Sequence, residues 1–204
     1  FSNTEIGCRD LFTHNFCERN GINSYFSRCL TLTLPRRQKD STQNKVFLVD
    51  VPKAWEKYLP TSITRSAVRL SQRTFPCADL NSEDLYKKAN DLLEMYRNEA
   101  ALVITTALHC ASPCLAMGIP VVFLTNQPEE QATRFSALSG ISRTYSLHDL
   151  KNKRLEIPSE PVDIEDLKQA LLGNLKLCLV TGGAADKVDE KRRLRSYIKD
   201  FCIL

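Results

Sequence analysis

The stretch AALVITTALHCASPCLAMGIPVVFLT, residues 100–125, contains two short apolar runs on either side of a segment that ends at Gly118. The runs LVIT and VVFLT are typical of strands buried on both faces of a parallel sheet. The segment between them predicts a tight loop and a short helix, which the glycine ends. A strand, a helix and a strand in this order form a β-α-β unit with parallel strands and a right-handed crossover.

The rest of the chain continues this alternation of strands and helices. KVFLVDV (45–51) is another nearly continuous apolar run, and SEDLYKKANDLLEMYRNE (82–99) predicts a helix for which Ser82 can serve as N-cap. CLTLTL (29–34) alternates Leu with Cys or Thr and therefore predicts a strand that Pro35 ends. The other predicted elements are helices at 10–21, 55–58, 130–139, 163–178 and 185–201 and a strand near 144–147. We expect an α/β fold with a doubly wound, mostly parallel Rossmann-like sheet.

The composition of the chain excludes several classes of protein. Its 204 residues include 28 Lys and Arg against 24 Asp and Glu, so the net charge is only +4 and no dense basic patch predicts a nucleic-acid partner. No apolar stretch approaches the roughly 18 residues of a membrane span. The eight cysteines form no C-x-x-C pair and no Cys/His set with zinc spacing, so we expect no metal site. Most have apolar or small neighbours in a chain too long to need disulfides, so we expect reduced thiols rather than a disulfide framework. G-x-G-x-x-G, Walker A, G-x-S-x-G and H-E-x-x-H motifs do not occur.

The two ends of the chain carry less information. Phe1 stands where a nascent chain has Met, and the first ten residues show no signal peptide, so we expect a processed chain or a fragment. The last predicted helix contains four basic residues, Lys191, Arg192, Arg193 and Arg195. Acidic neighbours dilute this charge, and we interpret the helix as having a solvated face rather than a patch for an acidic partner.

Polar residues follow the strand LVIT, at the edge of the sheet where ligands bind in open parallel folds. Thr105 and Thr106 offer hydroxyl groups there, and Leu108 and His109 begin the next helix. The first amides of that helix have no intrahelical acceptor and can bind a phosphate or a carboxylate. His109 can exchange a proton beside such an anion near neutral pH, or it can simply cap or pack the helix start.

Further candidates lie beyond the next strand. Glu129 and Glu130 can contact a sugar hydroxyl or form a solvated pair, and Arg134 can reach towards the anion or remain a surface residue. We interpret the other two histidines, His14 and His148, as structural or solvent-facing.

Four blocks of the sequence resemble one known family, the polysaccharide pyruvyl transferases. The blocks are Gly7-Cys8-Arg9-Asp10, YFSRCLTLT at 25–33, DLLEMY with Ala100, and ITTALHC-SP-LAMGIPVVF. Their order and spacing extend from about residue 5 to about residue 140. The resemblance implies a GT-B-like fold of two Rossmann-like domains, and transfer of pyruvate from phosphoenolpyruvate onto glycan hydroxyls as a ketal.

The resemblance also implies a domain organisation. Two Rossmann-like domains need roughly 300 residues, more than this chain has. We therefore expect residues 1–204 to form a single Rossmann-like domain, the C-terminal portion of a two-domain transferase, with an amphipathic helix at about 185–201.

The roles of individual residues follow from the same resemblance. His109 matches the catalytic histidine, and Arg9 matches an arginine that binds the phosphate or carboxylate of phosphoenolpyruvate. Members of the family commonly have S-R-L-H where this chain has Thr106-Ala107-Leu108-His109, so an arginine is replaced by Ala107. Arg134 or Arg28 are candidates to replace it.

Two alternatives remain beside the pyruvyltransferase hypothesis: a GT-B-type glycosyltransferase that uses a nucleotide-sugar, and a non-catalytic glycan-binding domain. The expected partners are phosphoenolpyruvate as donor substrate and a glycan or glycolipid acceptor, with no cofactor. A bacterial protein of this kind would be cytoplasmic, with or without membrane association, and a eukaryotic one would lie in the Golgi lumen.

Overall fold

The computed structural model describes residues 5–40, 42–73, 81–125, 133–180 and 185–204. The chain divides into two compact units. Unit 1 is assembled from Phe1–Leu34, Gln127–Arg143 and Asp163–Leu204, and unit 2 from Pro35–Asn126 and Thr144–Val162. The expectation of one domain over 1–204 within a larger transferase stays a prediction.

The elements are numbered in chain order. The strands are β1 Ile6–Cys8, β2 Ser24–Phe26, β3 Lys45–Val49, β4 Val68–Leu70, β5 Ala100–Thr105, β6 Val121–Thr125 and β7 Thr144–Ser146. The α-helices are α1 Leu11–Arg19, α2 Lys53–Glu56, α3 Thr61–Thr64, α4 Ser82–Glu99, α5 Leu108–Ala116, α6 Leu147–Lys151, α7 Glu165–Val180 and α8 Ala185–Asp200. Two 3-10 helices occupy Leu30–Thr33 and Thr133–Leu138.

Unit 2 contains a five-stranded sheet in the order β4-β3-β5-β6-β7, and every neighbouring pair is parallel. The first connection leads from β3 outward to β4, whereas later strands are added on the other side of β3. The direction of winding therefore reverses between β3 and β5, which is the mark of a doubly wound sheet. The predicted α/β fold with a doubly wound parallel sheet is confirmed.

Helices cover both faces of this sheet. One face carries Leu48, Ile104 and Val122, which pack with Trp55 of α2 and with Leu150 of α6. Because side chains alternate along a strand, Phe47 belongs to the opposite face, where it makes an edge-to-face contact with Tyr96 of α4 at 5.5 Å between ring centroids. Two buried faces explain the nearly continuous apolar runs of β3, β5 and β6.

The β-α-β unit predicted from residues 100–125 is formed by β5, α5 and β6. Gly118 adopts a φ of +70° directly after α5, a left-handed conformation that glycine reaches without strain. A Cβ at Gly118 would lie 3.1 Å from Cγ of Arg36, so the side chain of Arg36 packs closely against this turn.

Unit 1 is held together by short parallel strands and two long helices. β1 and β2 pair in parallel, and α1 connects them. Asp10 caps α1 by accepting a hydrogen bond from the amide of Thr13 at 2.8 Å. The helices α7 and α8 pack together, and Gly173 of α7 lies against Leu194 of α8.

Three local predictions were wrong in part or in full. The predicted strand at 29–34 is a 3-10 helix, in which the hydroxyl of Thr33 donates to the carbonyl of Leu30 at 2.7 Å. Arg28, with a φ of +55°, ends the extended chain after β2, and Thr hydroxyls favour such local bonds over a sheet ladder. The described part of the helix predicted at 130–139 is also a 3-10 helix. The N-cap of α4 is Asn81, one residue before Ser82, because its side chain accepts from the amide of Asp84.

Candidate functional site

The loop after β5 is fixed by the two threonines predicted from the sequence. Thr105 is fully buried, and its hydroxyl oxygen accepts a hydrogen bond from the amide of Ala107 at 2.9 Å. The hydroxyl of Thr106 donates to the carbonyl of Asp50 at 2.8 Å, which connects the ends of β5 and β3. Both hydroxyls therefore shape the loop, and their hydrogen bonds set the direction in which α5 begins.

Helix α5 begins without a side-chain cap. Its N-cap is Ala107, which has no side-chain hydrogen bond to the helix, whereas Asp10, Asn81 and Ser146 cap α1, α4 and α6. The amide of Cys110 donates to the carbonyl of Ala107 at 3.0 Å. The amides of Leu108 and His109 precede it in the first turn, where a helix offers no carbonyl to accept from them. This helix start can bind an anion through its amides and its dipole.

His109 is the second residue of α5 and its side chain is exposed. Leu108, directly before it, is buried, so only its main chain is available to a ligand. An exposed imidazole in the first turn can reach a molecule bound at the helix start and exchange a proton with it.

Asp50 follows β3 at the same edge of the sheet, and sequence reasoning did not single it out. It has a φ of +54°, a strained conformation for a residue other than glycine. Its side chain is only 5% exposed and accepts from the hydroxyl of Ser71 at 2.7 Å, while Nε of Arg73 lies 4.0 Å from Oδ2. The signal was present in the sequence, because Asp50 ends the run KVFLVD as Thr105 ends LVIT.

These residues meet where the winding of the sheet reverses, between β3 and β5. The amide of Thr106 donates to the carbonyl of Val49 at 3.4 Å, beside the bond between its hydroxyl and Asp50. Ligands of open α/β sheets bind at this position, outside the carboxyl ends of the strands. The site thus combines an uncapped helix, an exposed histidine, a buried carboxylate and the exposed guanidinium of Arg73.

The other predicted site residues do not belong to unit 2 or lie outside the described residues. Arg9 and Arg134 are in unit 1, and Glu129 and Glu130 fall within the undescribed stretch 126–132. Arg9 precedes α1, and its Nη2 lies 3.3 Å from Oδ2 of Asp10, while its Nε is buried with no partner among the described residues. Arg134 is exposed on its 3-10 helix.

Arg28 is not available to replace the arginine that Ala107 lacks. Its side chain is buried and donates to four main-chain carbonyls, those of Ala137, Ser139, Ile198 and Phe201. Burial lowers the pKa of this guanidinium to about 10. With its donors used inside unit 1, Arg28 joins β2 to the C-terminal segment, and the hypothesis that it binds the donor is wrong.

The described ranges contain neither a metal-binding cluster nor a membrane-spanning helix. Within them, no group of three or more His, Cys, Asp and Glu side chains could hold a metal ion. None of the described helices is long and apolar enough to cross a bilayer. The seven described cysteines are free, and burial raises the pKa of the Cys8 thiol to about 11, so this thiol is neutral at physiological pH. Cys77 lies outside the described residues.

The fold and the site define a doubly wound α/β protein with a polar site at the switch point of its sheet. Residues 2–128 of the 204 match the family model described as polysaccharide pyruvyl transferase. The chain therefore belongs to the polysaccharide pyruvyl transferase family, as the resemblance of its sequence blocks predicted. The family is one of transferases and implies a polysaccharide acceptor. Comparisons with curated proteins and with solved structures found no match.

Proposed function

We propose that this protein transfers pyruvate from phosphoenolpyruvate to two hydroxyls of a glycan, forming a ketal and releasing phosphate. The observation that supports this most is the start of α5, where an uncapped helix and the exposed His109 stand together at the switch point of the sheet. An anionic donor at the helix start would lie within reach of an imidazole that can move a proton.

The proton balance of this reaction requires a group such as His109. The two acceptor hydroxyls lose two protons as their oxygens bond to C2 of the enolpyruvyl group. One proton is gained by the methylene carbon, which becomes a methyl group, and the other leaves with the phosphate. We assign His109 to proton transfer at the enolpyruvyl group and the first amides of α5 to binding an anionic group of the donor.

Arg73 and Asp50 support the proposal from the neighbouring strands. Arg73 is exposed beyond the carboxyl end of β4, at the edge of the sheet that also carries Thr106. Its guanidinium is a further cation for the donor phosphate or carboxylate, since arginine pairs with such anions through two parallel hydrogen bonds. Asp50 holds this segment by accepting from Ser71 and from the amide of Gln72.

The role of Arg9 as a donor ligand remains part of the proposal on the resemblance, and that of Arg134 on its place in the sequence beyond β6. The same holds for Glu129 as a contact of the acceptor sugar, which was inferred from its place after β6.

The test is phosphate release from phosphoenolpyruvate in the presence of glycan acceptors. His109→Ala should lower kcat by about 10²–10⁴-fold, the usual contribution of a general acid or base. His148→Ala is a matched control, because His148 is exposed at the second position of α6 but that helix is capped by Ser146. Equal phosphate release by the His109 variant and the wild type would remove this residue from the chemistry.

Ala107 also favours a second candidate function, a glycosyltransferase that uses a nucleotide-sugar. Without the family arginine, the start of α5 suits a diphosphate as well as phosphoenolpyruvate. Thermal shifts with phosphoenolpyruvate and with UDP-, GDP- and CMP-sugars separate the two, because a bound ligand stabilises the folded state by mass action. Binding of glycans without turnover of any donor would indicate a non-catalytic glycan-binding protein instead.

A further inference from the structure

Unit 1 contains a cleft of about 590 Å³ between its short strands and its last helix. This volume lies within the range of about 300–1,000 Å³ that is usual for ligand sites. The polar residues that line the cleft include Glu5, His14, Glu18, Ser24, Tyr25, Lys191, Arg192, Arg195 and Lys199. None of them belongs to the site at the start of α5, which is in unit 2.

Most of the basic residues of the last helix line this cleft. Lys191, Arg195 and Lys199 follow one another at intervals of four residues and line the cleft, together with Arg192, whereas Arg193 does not. Residues four apart lie on one side of a helix, about 6 Å from one another along its axis. The solvated face predicted from the sequence is therefore in part the basic wall of a cleft, about 12 Å long.

Two of these cations pair with carboxylates of described residues, and the other two do not. The guanidinium of Arg195 pairs with Glu5, donates to Oδ1 of Asn174 at 3.1 Å and stacks 3.7 Å above the ring of Tyr25. Arg192 pairs with Asp189 at 3.0 Å. Lys191 and Lys199 have no ion pair with any residue that the structure describes.

The opposite wall carries hydrogen-bonding side chains, and the lining contains fewer carboxylates than cations. Nδ1 of His14 lies 3.0 Å from the hydroxyl of Ser24, and Nε2 lies 3.5 Å from the carboxylate of Glu18. Four cations therefore face two carboxylates, Glu5 and Glu18, across the lining. The hydroxyl of Ser24 suits a sugar hydroxyl, because both groups donate and accept hydrogen bonds.

We propose that this cleft binds a short linear stretch of an acidic polysaccharide, with Lys191 and Lys199 on its anionic groups and Ser24 on one of its hydroxyls, while His14 positions the hydroxyl of Ser24. The choice of a glycan rests on the proposed function, and the choice of an acidic one rests on the spacing of the free lysines. A nucleic acid fits less well, because the ring of Tyr25 stacks on Arg195 instead of offering a platform for bases.

The experiment measures binding of the whole chain to tetragalacturonate, to a phosphorylated tetrasaccharide and to neutral maltotetraose by calorimetry. Wild-type protein should bind the acidic oligosaccharides at least about tenfold more tightly than maltotetraose, and high salt should reduce this difference. Comparison of the two acidic ligands identifies carboxylate or phosphate as the preferred anion. The double variant Lys191→Glu with Lys199→Glu should weaken acidic binding at least about tenfold.

Lys176→Glu on α7 with Arg193→Glu on α8 is the matched control. This double variant makes the same change of charge at exposed residues that do not line the cleft, so binding should stay within about threefold of wild type. Thermal unfolding of both variants verifies that they are folded. The proposal would be overturned if both variants lost affinity equally, if the first variant lost none, or if the wild type bound maltotetraose as tightly as the acidic oligosaccharides. Tighter binding of single-stranded DNA or of anionic vesicles, dependent on Lys191 and Lys199, would overturn it too.

Failure of this inference is distinguishable from failure of the proposed function. His109→Ala should leave the affinity for acidic oligosaccharides unchanged, because His109 does not line this cleft. Phosphate release without lysine-dependent glycan binding would overturn the inference and leave the transferase proposal standing. Binding of acidic oligosaccharides that depends on Lys191 and Lys199, without phosphate release, would overturn the transferase proposal and leave the binding of acidic oligosaccharides by this cleft standing.

Discussion

Ala107 is the N-cap residue of α5, at the position where the resemblance to the pyruvyltransferases predicts an arginine. Its side chain makes no hydrogen bond to the helix, and its main chain is fixed by the hydroxyl of Thr105. An arginine at this residue would place a guanidinium beside the first amides of α5. The protein therefore has the main-chain part of the expected anion site without one of its charges.

We predict that Ala107→Arg tightens binding of phosphoenolpyruvate by about one to two powers of ten, since a hydrogen bond to a charged group contributes about 1.5–3 kcal/mol. Calorimetric titration of both proteins with phosphoenolpyruvate measures the change. Ala54→Arg adds the same charge at an exposed position of α2 and should leave the affinity unchanged. An equal gain in both variants, or none in either, would contradict this prediction.

Single residues also mark the limit of what the sequence predicts. His109 and the threonines could be placed from the sequence because they closely follow an apolar run. Asp50 holds such a place too, but its left-handed backbone and its bond with Ser71 depend on the neighbouring strand. The role of Arg28 was not predictable, since its carbonyl partners lie 109 to 173 residues further along the chain.

Helix α6 shows at the scale of an element how a cap depends on ionisation. The hydroxyl of Ser146 accepts from the amide of Asp149, and the carboxylate of Asp149 accepts from the amide of Ser146 at 2.8 Å. Hydrogen bonds from the side chain and then the main chain of Ser146 hold the pKa of Asp149 below its usual value. The carboxylate is thus favoured by folding, so its contribution is complete above the unfolded pKa and disappears as the pH falls through the folded one.

We predict that Asp149→Asn destabilises the protein by about 1 kcal/mol at neutral pH, the usual contribution of a cap. The difference from wild type should shrink towards zero as the pH falls through the lowered pKa of Asp149, because the carboxyl of the folded wild type is then protonated. Chemical denaturation over a pH series measures it. The control is Asp189→Asn, which removes a carboxylate from an exposed ion pair on α8 and should change the free energy of unfolding little at any pH. If the stability difference between Asp149→Asn and wild type did not vary with pH, the proposed dependence of the cap on ionisation of Asp149 would be contradicted.

Elements with a long, consistent pattern were predictable and short ones were not. β5, α5 and β6 follow from two apolar runs and a glycine, because burial on both sides of a sheet leaves little choice of residue. CLTLTL offered only a few alternating positions, and a 3-10 turn that buries Leu32 satisfies the same pattern. The cleft in unit 1 was not predictable, because the helical spacing of Lys191, Arg195 and Lys199 indicates a shared face but not what that face contacts.

At the scale of the whole molecule, the turn at Gly140 in unit 1 contacts the C-terminal segment, which lies about 60 residues later in the sequence. Gly140 has a φ of +72°, and its carbonyl accepts from the amide of Ile203 at 2.9 Å. A Cβ at this residue would lie 2.7 Å from the carbonyl oxygen of Phe201, which is main chain and has little room to move. The C-terminal segment can therefore pack against this turn only because residue 140 is a glycine.

We predict that Gly140→Ala destabilises the protein by about 2–4 kcal/mol, from left-handed strain together with overlap against the main chain. Gly21→Ala separates the two causes, because Gly21 has a φ of +66° but a methyl group added there would meet nothing within 4 Å among the described residues. That variant should cost only about 1–2 kcal/mol of strain. Urea denaturation compares them, and equal losses would mean that the contact with Phe201 contributes nothing.

The four carbonyl bonds of Arg28 have a consequence for synthesis of the protein. Its most distant partner, Phe201, is translated 173 residues later, which at about 5–20 residues per second is an interval of roughly 10–35 seconds. All five strands of the unit 2 sheet are complete once Ser146 has been added, whereas two of the four acceptors of Arg28, the carbonyls of Ile198 and Phe201, have not yet been made. The hydrogen bonds of Arg28 therefore cannot be completed until Phe201 has been added, and a chain that ends before this residue would leave a donor of the buried guanidinium without its acceptor.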